Sequence, residues 1–594
     1  MATTTPRIII VGGGLAGLSA AIKVAEMGAN VDLFSIVPVK RSHSVCAQGG
    51  INSAKNLKGE GDSTWLHFDD TVYGGDFLAN QAPVKLMCEM GPGIIDLLDR
   101  MGVPFNRTPE GLLDFRRFGG TLFNRTAFAG ATTGQQLLYA LDEQVRRFES
   151  EGKIKKYEYW EFLSSVLDSQ GVCRGICAMD LRTMEVTTFP GDAVILATGG
   201  VGAIFGKSTN SVVCTGSAQG SVYQQGAAYA NGEMIQVHPT CIPGEDKLRL
   251  MSESARGEGG RVWVPKDPKE TRPGKQVPEA DRWYFLEDRY PKYGNLVPRD
   301  IATREIHTVV YDMGLGIMGQ PMVYLDLSHI DRATLDRKLG GILEIYEKFV
   351  GVDPHDNPMK IFPGMHYTMG GIWVDFNQMT NIPGIFAAGE CEYQYHGANR
   401  LGANSLVSCI FGGFITGPNA MRYAKSLEAQ EGDGGAAVEV ARQAEINAKL
   451  LKNEGTENPF KLWRELGATM TEHATVIRYN KGLQKADEKI VELLDRYKKV
   501  NLSDRSQWAN TSFAFARQLK NMLELSRTIV LGAQLRDESR GAHYKPDFPD
   551  RNDEQFLKTT LASYTGAPEG PKITYEEVDT QWIKPRPRRY DATK

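Results

Sequence analysis

Three side chains in the middle of the chain have the chemistry to bind a carboxylate. Arg400, in the segment HGANRLGANSL, has a planar guanidinium that can hold one carboxylate through two hydrogen bonds. His238 and His366 can each donate a single hydrogen bond and tolerate a change in local charge. Gly370–Gly371 and Gly397 leave room for close backbone approach. Taken singly, such an arginine is more often a solvated surface residue. The surrounding sequence elements must therefore show whether Arg400 lines a binding site.

A further candidate is His43, in the segment RSHSVCAQGG that directly follows the second predicted strand. A ring nitrogen at this position can form a covalent bond to a flavin. The alternative is a histidine that is exposed or only hydrogen-bonded, and the position alone leaves both open.

The first forty residues contain a dinucleotide-binding pattern. An apolar strand is predicted at Arg7–Val11, followed by GGGLAG, a helix to Gly28 and a second strand at Asn30–Ser35. In this pattern the first glycine forms a turn, the second admits a pyrophosphate, and the third packs the helix on the strand. The helix N-terminus then faces the phosphates. The three glycines in GxGxxG spacing are Gly12, Gly14 and Gly17.

One detail departs from this pattern, because Ser35 stands where an acidic residue normally contacts the ribose. Asp32 lies in mid-strand and is expected to face away, so the motif alone leaves NAD and FAD open. Two later strands that end in small residues are predicted at Asp192–Gly200 and Ile385–Glu390. Their distance in sequence indicates one nucleotide domain with insertions, which favours a large FAD-binding fold over a compact NAD domain.

The composition excludes several classes of protein. With 41% hydrophobic and 24% charged residues the chain is globular, and its net charge of −4 argues against a nucleic-acid partner, since the only basic patch is KPRPRR at 584–589. No apolar run reaches the roughly 18 residues of a membrane span. The eight cysteines are scattered without any CxxC, so we expect no disulfide framework, no metal site and no iron–sulfur ligand set.

The fold class predicted from these elements is α/β. It consists of a Rossmann-like FAD-binding domain, interrupted by an inserted α+β capping domain and followed by a helical domain and a C-terminal tail domain. Helical periodicity is clear at 486–500 and 515–535, and a flexible loop is predicted at 428–437. The predicted boundaries are 1–236 and 353–417 for the FAD-binding domain, 237–352 for the cap, 418–540 for the helical domain and 541–594 for the tail.

Eight motifs occur in a fixed order along nearly the whole chain: RSHSVCAQGG, HPT at 238–240, ESARGEGG at 253–260, PRD at 298–300, HYTMGG at 366–371, AAGE at 387–390, HGANRLGANSL at 396–406 and DESRGAHYKPDFPDR at 537–551. Together they resemble the flavoprotein subunits of the succinate dehydrogenase/fumarate reductase family. The segment at 125–147 resembles the bacterial branch that works with a diheme cytochrome b anchor and menaquinone.

The resemblance implies a role for each matching residue. His43 would hold FAD through a bond to the 8α-methyl group of the isoalloxazine. A four-carbon dicarboxylate would be surrounded by Phe118, His238, Ser252, Glu253, His366 and Arg400. Two positions depart from many relatives: Ser252 stands where they have Thr, and Ser217 stands where they have Asp. The residues implied at the cofactor are Gly12, Gly14, Ala16, Gly17, Ser35, Ser42, Ser44, Gln48, Gly49, Gly50, Ser217, Glu390, Ser405 and Leu406.

The same resemblance assigns proton exchange to Arg299, relayed by Glu253 and Arg256. A guanidinium has a pKa above about 12, so it can exchange a proton only if an adjoining chain removes that proton in step. Glu253 and Arg256 are spaced i and i+3 and can lie on one side of a helical turn. Arg304 is a competitor, and the PRD context favours Arg299.

The activity implied is oxidation of succinate to fumarate by hydride transfer to covalently bound FAD. Electrons would pass to an iron–sulfur subunit and then to a membrane-anchor cytochrome b subunit with quinone, with this chain peripheral at the cytoplasmic side of the inner membrane. Quinol:fumarate reductase is the main alternative. L-aspartate oxidase is a weaker alternative, because that enzyme holds FAD without a covalent bond, whereas His43 indicates one. A non-catalytic flavin scaffold that passes electrons between partners is a third alternative.

Overall fold

The computed structural model of the chain describes residues 5–244, 247–427 and 435–591. Its centre is a five-stranded parallel sheet that is mostly buried and apolar, as expected for a sheet covered on both faces, except for the polar, half-buried edge strand Ile154–Glu158. The strands predicted near 192–200 and 385–390 both join this sheet, so segments far apart in sequence form one nucleotide-binding domain. The strand order is Ile385–Ala387, Ala193–Leu196, Arg7–Val11, Asn30–Ser35 and Ile154–Glu158.

Helix Leu15–Glu26 packs on this sheet beside helix Asn404–Ser426, which also contacts the sheet. Two glycines of the later helix make the close approach possible. A Cβ on Gly413 would overlap the Ala16 carbonyl oxygen, and one on Gly417 would lie 3.0 Å from the Ala20 carbonyl oxygen. The C-terminal end of the FAD-binding region is thereby fixed against the helix that follows the GxGxxG turn.

A second sheet of six strands is inserted between two strands of the first. Its longest pair is Ile235–Ile242 against Met359–Thr368, in a register that places Ile235 opposite Thr368. Helices Arg299–His307 and Arg332–Val350 cover it with a shared apolar cluster. The sheet therefore extends beyond 237–352 at both ends, and the exact domain boundaries remain predictions. The other four strands are Arg249–Leu250, Arg261–Pro265, Arg282–Trp283 and Val323–Asp326.

The region after residue 435 is helical, as its periodicity predicts. The segment at 515–535 lies within a longer helix, whereas the helix that contains most of 486–500 ends at Tyr497, three residues before the end of that segment. Residues 428–434 of the predicted loop lie outside the described residues, and Ala436 already begins a helix. The four helices are Ala436–Lys452, Pro459–His473, Asn480–Tyr497 and Thr511–Leu535.

Beyond residue 541 the chain forms a hairpin that the sequence pattern does not reveal. Strands Lys558–Ser563 and Lys572–Glu577 pair antiparallel, and the first also pairs with Tyr229–Ala230. The predicted fold class is confirmed by this order of sheets, helices and tail. Three further helices are Thr64–Gly74, Gln81–Arg100 and Thr133–Ser150, and a separate three-stranded sheet contains Trp160–Leu167, Cys173–Asp180 and Val186–Pro190.

None of the helices in residues 5–244, 247–427 and 435–591 combines the length and apolar character needed to cross a bilayer.

Candidate active site

The glycines of the first turn are required by close backbone contacts. Gly12 has φ +119°, and a Cβ there would overlap the Ala197 carbonyl. A Cβ on Gly17 would overlap the Gly12 carbonyl, which explains how the third glycine brings helix and strand together. A cavity of about 150 Å³ lies over this turn. The predicted cofactor residues that line it are Gly12, Gly14, Ala16, Ser35, Ser42, His43, Ser44, Ser217 and Glu390.

The ribose end of this cavity differs from the usual pattern. Asp32 turns away and pairs with Arg7, with 3.0 Å between Oδ2 and Nε, while the Ser35 hydroxyl donates to the Val37 carbonyl. Glu161 lines the same cavity, is buried, and was missed because it lies in an unremarkable strand. Burial raises the pKa of Glu161 to about 7, although Arg517 opposes this rise. Glu161 therefore brings an acidic side chain to this cavity, although serines, Ser35 and Ser217, occupy the two positions where an acidic residue is expected.

His43 lines both this cavity and the next one. Its Nδ1 accepts a hydrogen bond from the Ser211 backbone N–H at 3.1 Å, and its Nε2 lies 3.2 Å from the Asn210 amide nitrogen. Burial, assisted by Lys247, lowers the pKa of His43 to about 4. The imidazole is therefore neutral at pH 7, and a backbone amide fixes the orientation of its ring.

A second cavity of about 370 Å³ shares His43, Ser44, Glu390 and Cys409 with the first, so the two are adjacent. Arg256 and Gly17 line neither cavity, since Arg256 lies behind Glu253 and Gly17 lies in the helix contact. The predicted residues that line the second cavity are Gln48, Gly49, Gly50, Phe118, His238, Ser252, Glu253, Arg299, His366, Arg400, Ser405 and Leu406.

Arg400 is a buried cation in this wall and has no carboxylate within ion-pair distance in the part of the chain that the structure describes. Its guanidinium lies 4.4 Å from the centre of the Tyr367 ring, and its Nε lacks a hydrogen-bond partner among those residues. Burial, and next the neighbouring Arg299, lower the pKa of Arg400 to about 9. Both effects favour an anion in the cavity, which would supply the missing counter-charge.

The two histidines lie beside this cation as neutral rings. Their centroids are 5.0 Å apart, and His238 Nδ1 accepts the Thr240 backbone N–H at 3.2 Å. Because Nδ1 accepts, the proton of His238 is on Nε2, which has no partner in the described chain and can donate to a ligand. The Thr209 hydroxyl lies 2.6 Å from His366 Nδ1. Burial, followed by the charge of Arg299, holds the pKa of both histidines well below the ordinary value.

Arg299, Glu253 and Arg256 form one buried chain of charge. Glu253 Oε2 accepts from Arg299 Nε and Nη2 at 3.0 and 2.7 Å, and Glu253 Oε1 accepts from Arg256 Nη2 at 3.0 Å. Burial alone would raise the pKa of Glu253, but the two arginines hold it below the ordinary value. The Gln236 side-chain oxygen accepts the third bond from Arg299, at 3.0 Å. Glu253 is thus an ionised bridge between the two guanidiniums.

The competing arginine lies elsewhere. Arg304 donates to the Gly541 carbonyl at 2.7 Å and does not line the cavity. Ser252 does line it, and its hydroxyl is hydrogen-bonded to that of Ser254. Phe118 packs over Gly49, where a Cβ would lie 2.7 Å from the ring. Of the two arginines considered, only Arg299 is placed to reach a bound ligand.

Comparison with known proteins identifies the family. Residues 7–406 match the model for the FAD binding domain, and residues 463–590 match that for the fumarate reductase flavoprotein C-terminal region. The succinate dehydrogenase flavoprotein subunit of Bacillus subtilis is 63% identical over 590 residues, which cover 99% of each chain. This chain belongs to the succinate dehydrogenase/fumarate reductase flavoprotein family. As a member it is an FAD-binding oxidoreductase. The glycine turn and the cavity over it fit the pyrophosphate of that cofactor.

Other members of the family are more distant in sequence but close in fold. The fumarate reductase flavoprotein subunit of Escherichia coli is 34% identical over 599 residues, covering 99% of this chain and 96% of that one. A solved structure of the E. coli quinol fumarate reductase flavoprotein superposes with a TM-score of 0.90 at 33% identity, covering 100% of both chains. The Mycobacterium smegmatis Sdh1 complex gives 0.82 at 28% identity, covering 98% and 95%.

Proposed function

We propose that this chain is the flavoprotein subunit of a succinate:quinone oxidoreductase and oxidises succinate to fumarate. The observation that carries the proposal is the buried Arg400, which lacks a carboxylate partner among the described residues and lines a cavity that shares His43 and Glu390 with the cavity over the glycine turn. His238 adds a neutral donor to the same wall. The chain is 63% identical to a succinate dehydrogenase subunit, against 34–35% to two fumarate reductase subunits.

The wall of the cavity performs binding and orientation. Arg400 grips one carboxylate of the substrate with two hydrogen bonds, while His238 and His366 donate to its oxygens. Phe118 and Ser252 close the cavity around the carbon chain. FAD, when bound, supplies the hydride acceptor for the adjoining carbon.

Proton transfer is assigned to Arg299, with Glu253 and Arg256 as the relay. Arg299 is held through three hydrogen bonds, two to Glu253 and one to Gln236, so that its guanidinium has a fixed position on the cavity wall. When it takes a proton from substrate, it must release one at the same moment to Glu253. Glu253 passes it toward Arg256, whose Nη1 donates to the Asn295 carbonyl at 2.6 Å.

We assign covalent attachment of FAD to His43 through Nε2. The Ser211 amide engages Nδ1 as an acceptor, so Nε2 is the nitrogen assigned to the bond, and in the neutral ring it carries the proton. That proton and one hydrogen of the 8α-methyl group would leave as the bond forms, and the two electrons released would pass to the flavin ring. Flavin that stays with the protein after acid precipitation supports the assignment, and flavin that is released into the supernatant contradicts it.

The electron acceptors proposed are an iron–sulfur subunit and a membrane-anchor cytochrome b subunit with quinone, most simply menaquinone. Solved relatives include a quinol–fumarate reductase with menaquinol molecules and the Sdh1 complex with UQ1, which support a membrane assembly of this kind. The chain itself would lie peripherally on the cytoplasmic side of the inner membrane.

The direction of turnover is tested with the assembled complex. We expect succinate oxidation with quinones of differing potential and fumarate reduction with reduced quinol analogues, both inhibited by malonate. Succinate oxidation faster than fumarate reduction supports the proposal. Fumarate reduction alone would assign the chain to quinol:fumarate reductase, and activity with L-aspartate in place of succinate would assign it to L-aspartate oxidase.

A further inference from the structure

The basic stretch at 584–589 lies in a C-terminal strap, which we define as residues 581–590. The strap crosses two helices of the FAD-binding region. The Gln81 side-chain oxygen accepts the Ile583 backbone N–H at 2.9 Å, and its amide donates to the Ile583 carbonyl at 2.7 Å. Farther along, Arg586 pairs with Asp69 at 2.6 Å. Arg586 of the strap thus pairs within the chain, although its side chain stays largely exposed.

The far end of the strap is anchored by a buried aromatic side chain. Tyr590 is 3% exposed and packs between Tyr73 and Tyr293, with ring centres 5.4 and 5.0 Å away. The Tyr73 hydroxyl accepts from the Arg589 N–H at 2.6 Å and donates to the Arg589 carbonyl at 2.9 Å. Tyr590 belongs to the apolar cluster that also contains Ile301 of helix Arg299–His307. The strap therefore joins the FAD-binding region to the helix that begins with Arg299.

The strap also makes a two-pronged polar contact to the residue after Arg299. Arg588 donates from Nη1 and Nη2 to the two oxygens of Asp300, at 2.6 and 3.0 Å. The Asp300 side chain is fully buried and lies in the first turn of the helix, where a negative charge is favourable. Burial would raise the pKa of Asp300, but Arg588 keeps it below the ordinary value. Its other arginine contact, with Arg304, is longer at 3.5 Å.

We propose that Arg588 is a positioning residue that acts through Asp300 to hold Arg299 at the reaction cavity. Arg299 and Asp300 are adjacent at the helix N-terminus, so the fork of Arg588 restrains the backbone from which the Arg299 side chain extends. The partners of Arg299, Glu253 and Gln236, come from other segments, so a shift of this helix end changes their hydrogen-bond distances. The inference rests on the proposed role of Arg299 in proton transfer.

The test uses the assembled complex with Arg588→Gln and Arg588→Lys, and Arg589→Gln as the matched control because its side chain is exposed. Activities are expressed per bound flavin. Since a misplacement of about 1 Å can lower a rate about 100-fold, we expect kcat to fall about 10- to 100-fold in both directions for Arg588→Gln. Malonate affinity and flavin content should stay near the parent values, Arg588→Lys should be intermediate, and Arg589→Gln should equal the parent.

A double-mutant cycle separates positioning from general stability. If Arg588 acts through Asp300, then Asp300→Asn lowers kcat similarly, and the combined variant loses no more than either single variant. A normal kcat in folded Arg588→Gln, or additive losses in the combined variant, overturns the inference. So does a loss of kcat accompanied by an equal loss of malonate binding or flavin. Should Arg588→Gln fail to accumulate, Arg588→Lys is read against the same criteria.

The parent complex distinguishes this inference from the proposed function. A parent without succinate or fumarate turnover refutes the function itself. An active parent with an unaffected, folded Arg588 variant refutes only the proposed positioning role of Arg588.

Discussion

Replacing Arg400 by lysine keeps the positive charge but removes the two-pronged grip on a carboxylate. The arginine lies against Tyr367 and is not held by any carboxylate of the described chain, so its hydrogen-bonding capacity is available to the ligand. Hydrogen bonds to charged groups contribute about 1.5–3 kcal/mol. Loss of one such bond in the transition state therefore predicts a fall of about 10- to 150-fold in kcat/KM for succinate.

The assay is steady-state succinate oxidation by the assembled complex, with flavin content measured on the same preparation. FAD binding should be unchanged, because the glycine turn is part of the other cavity, which Arg400 does not line. Arg478→Lys is the matched control, since Arg478 is equally buried but lines neither cavity. A folded Arg400→Lys protein with kcat/KM within about threefold of the parent would contradict the reasoning, since threefold corresponds to less than 1 kcal/mol.

Three further outcomes are expected. Arg299→Lys should nearly abolish turnover in both directions while malonate still binds, whereas Arg304→Lys should retain turnover; the reverse result would move the proton role to Arg304. His43→Ser should still bind FAD, release it in acid, and lose succinate oxidation while keeping fumarate reduction with a strong artificial donor. Flavin that stays bound to this denatured variant would refute the attachment. Burial raises the pKa of Glu392 from 4.5 to about 8. Since the folded-state pKa is the higher one, this group lowers stability as pH rises between those values, by up to about 1.4 kcal/mol per unit. Glu392→Gln should therefore show a Tm that varies less with pH across this window, measured by thermal denaturation, and an unchanged pH profile would exclude that role.

The nucleotide-binding part of the fold could be predicted because its requirements are local. A strand, a glycine turn and a helix are contiguous in sequence, and the overlap of a Cβ on Gly12 or Gly17 with nearby backbone explains why glycine alone fits. The distant strand at 385–387 could be inferred from its small-residue ending. Its neighbour in the sheet, Ala193–Leu196, followed from the same pattern.

The charge pairs and contacts that give the site its reactivity could not be predicted in the same way. Pairing depends on which side chains the fold brings together, and no spacing in sequence indicates that Glu253 bridges Arg299 while Arg400 lacks such a partner in the described chain. The contact of Arg588 with Asp300 spans 288 residues, so the basic stretch at 584–589 reads from sequence only as a surface patch. Glu161 gave no signal because its strand has no unusual pattern.

The charges around the reaction cavity match a doubly charged ligand. Among the fully buried groups, the guanidiniums of Arg256, Arg299 and Arg400 outnumber the one ionised carboxylate, Glu253, by two positive charges. Lys247 and Arg249 also line the cavity but are only half-buried. The histidines add no charge, since burial keeps their pKa well below the ordinary value. Burial also raises the pKa of Glu390 to about 7, so this group is a poor counter-ion. A ligand with two carboxylates neutralises the excess, whereas a monocarboxylate leaves one buried positive charge uncompensated, a state that low-dielectric surroundings disfavour. Burial and, next to it, the charge of Arg299 lower the pKa of Arg400, and both therefore favour a dicarboxylate in this cavity.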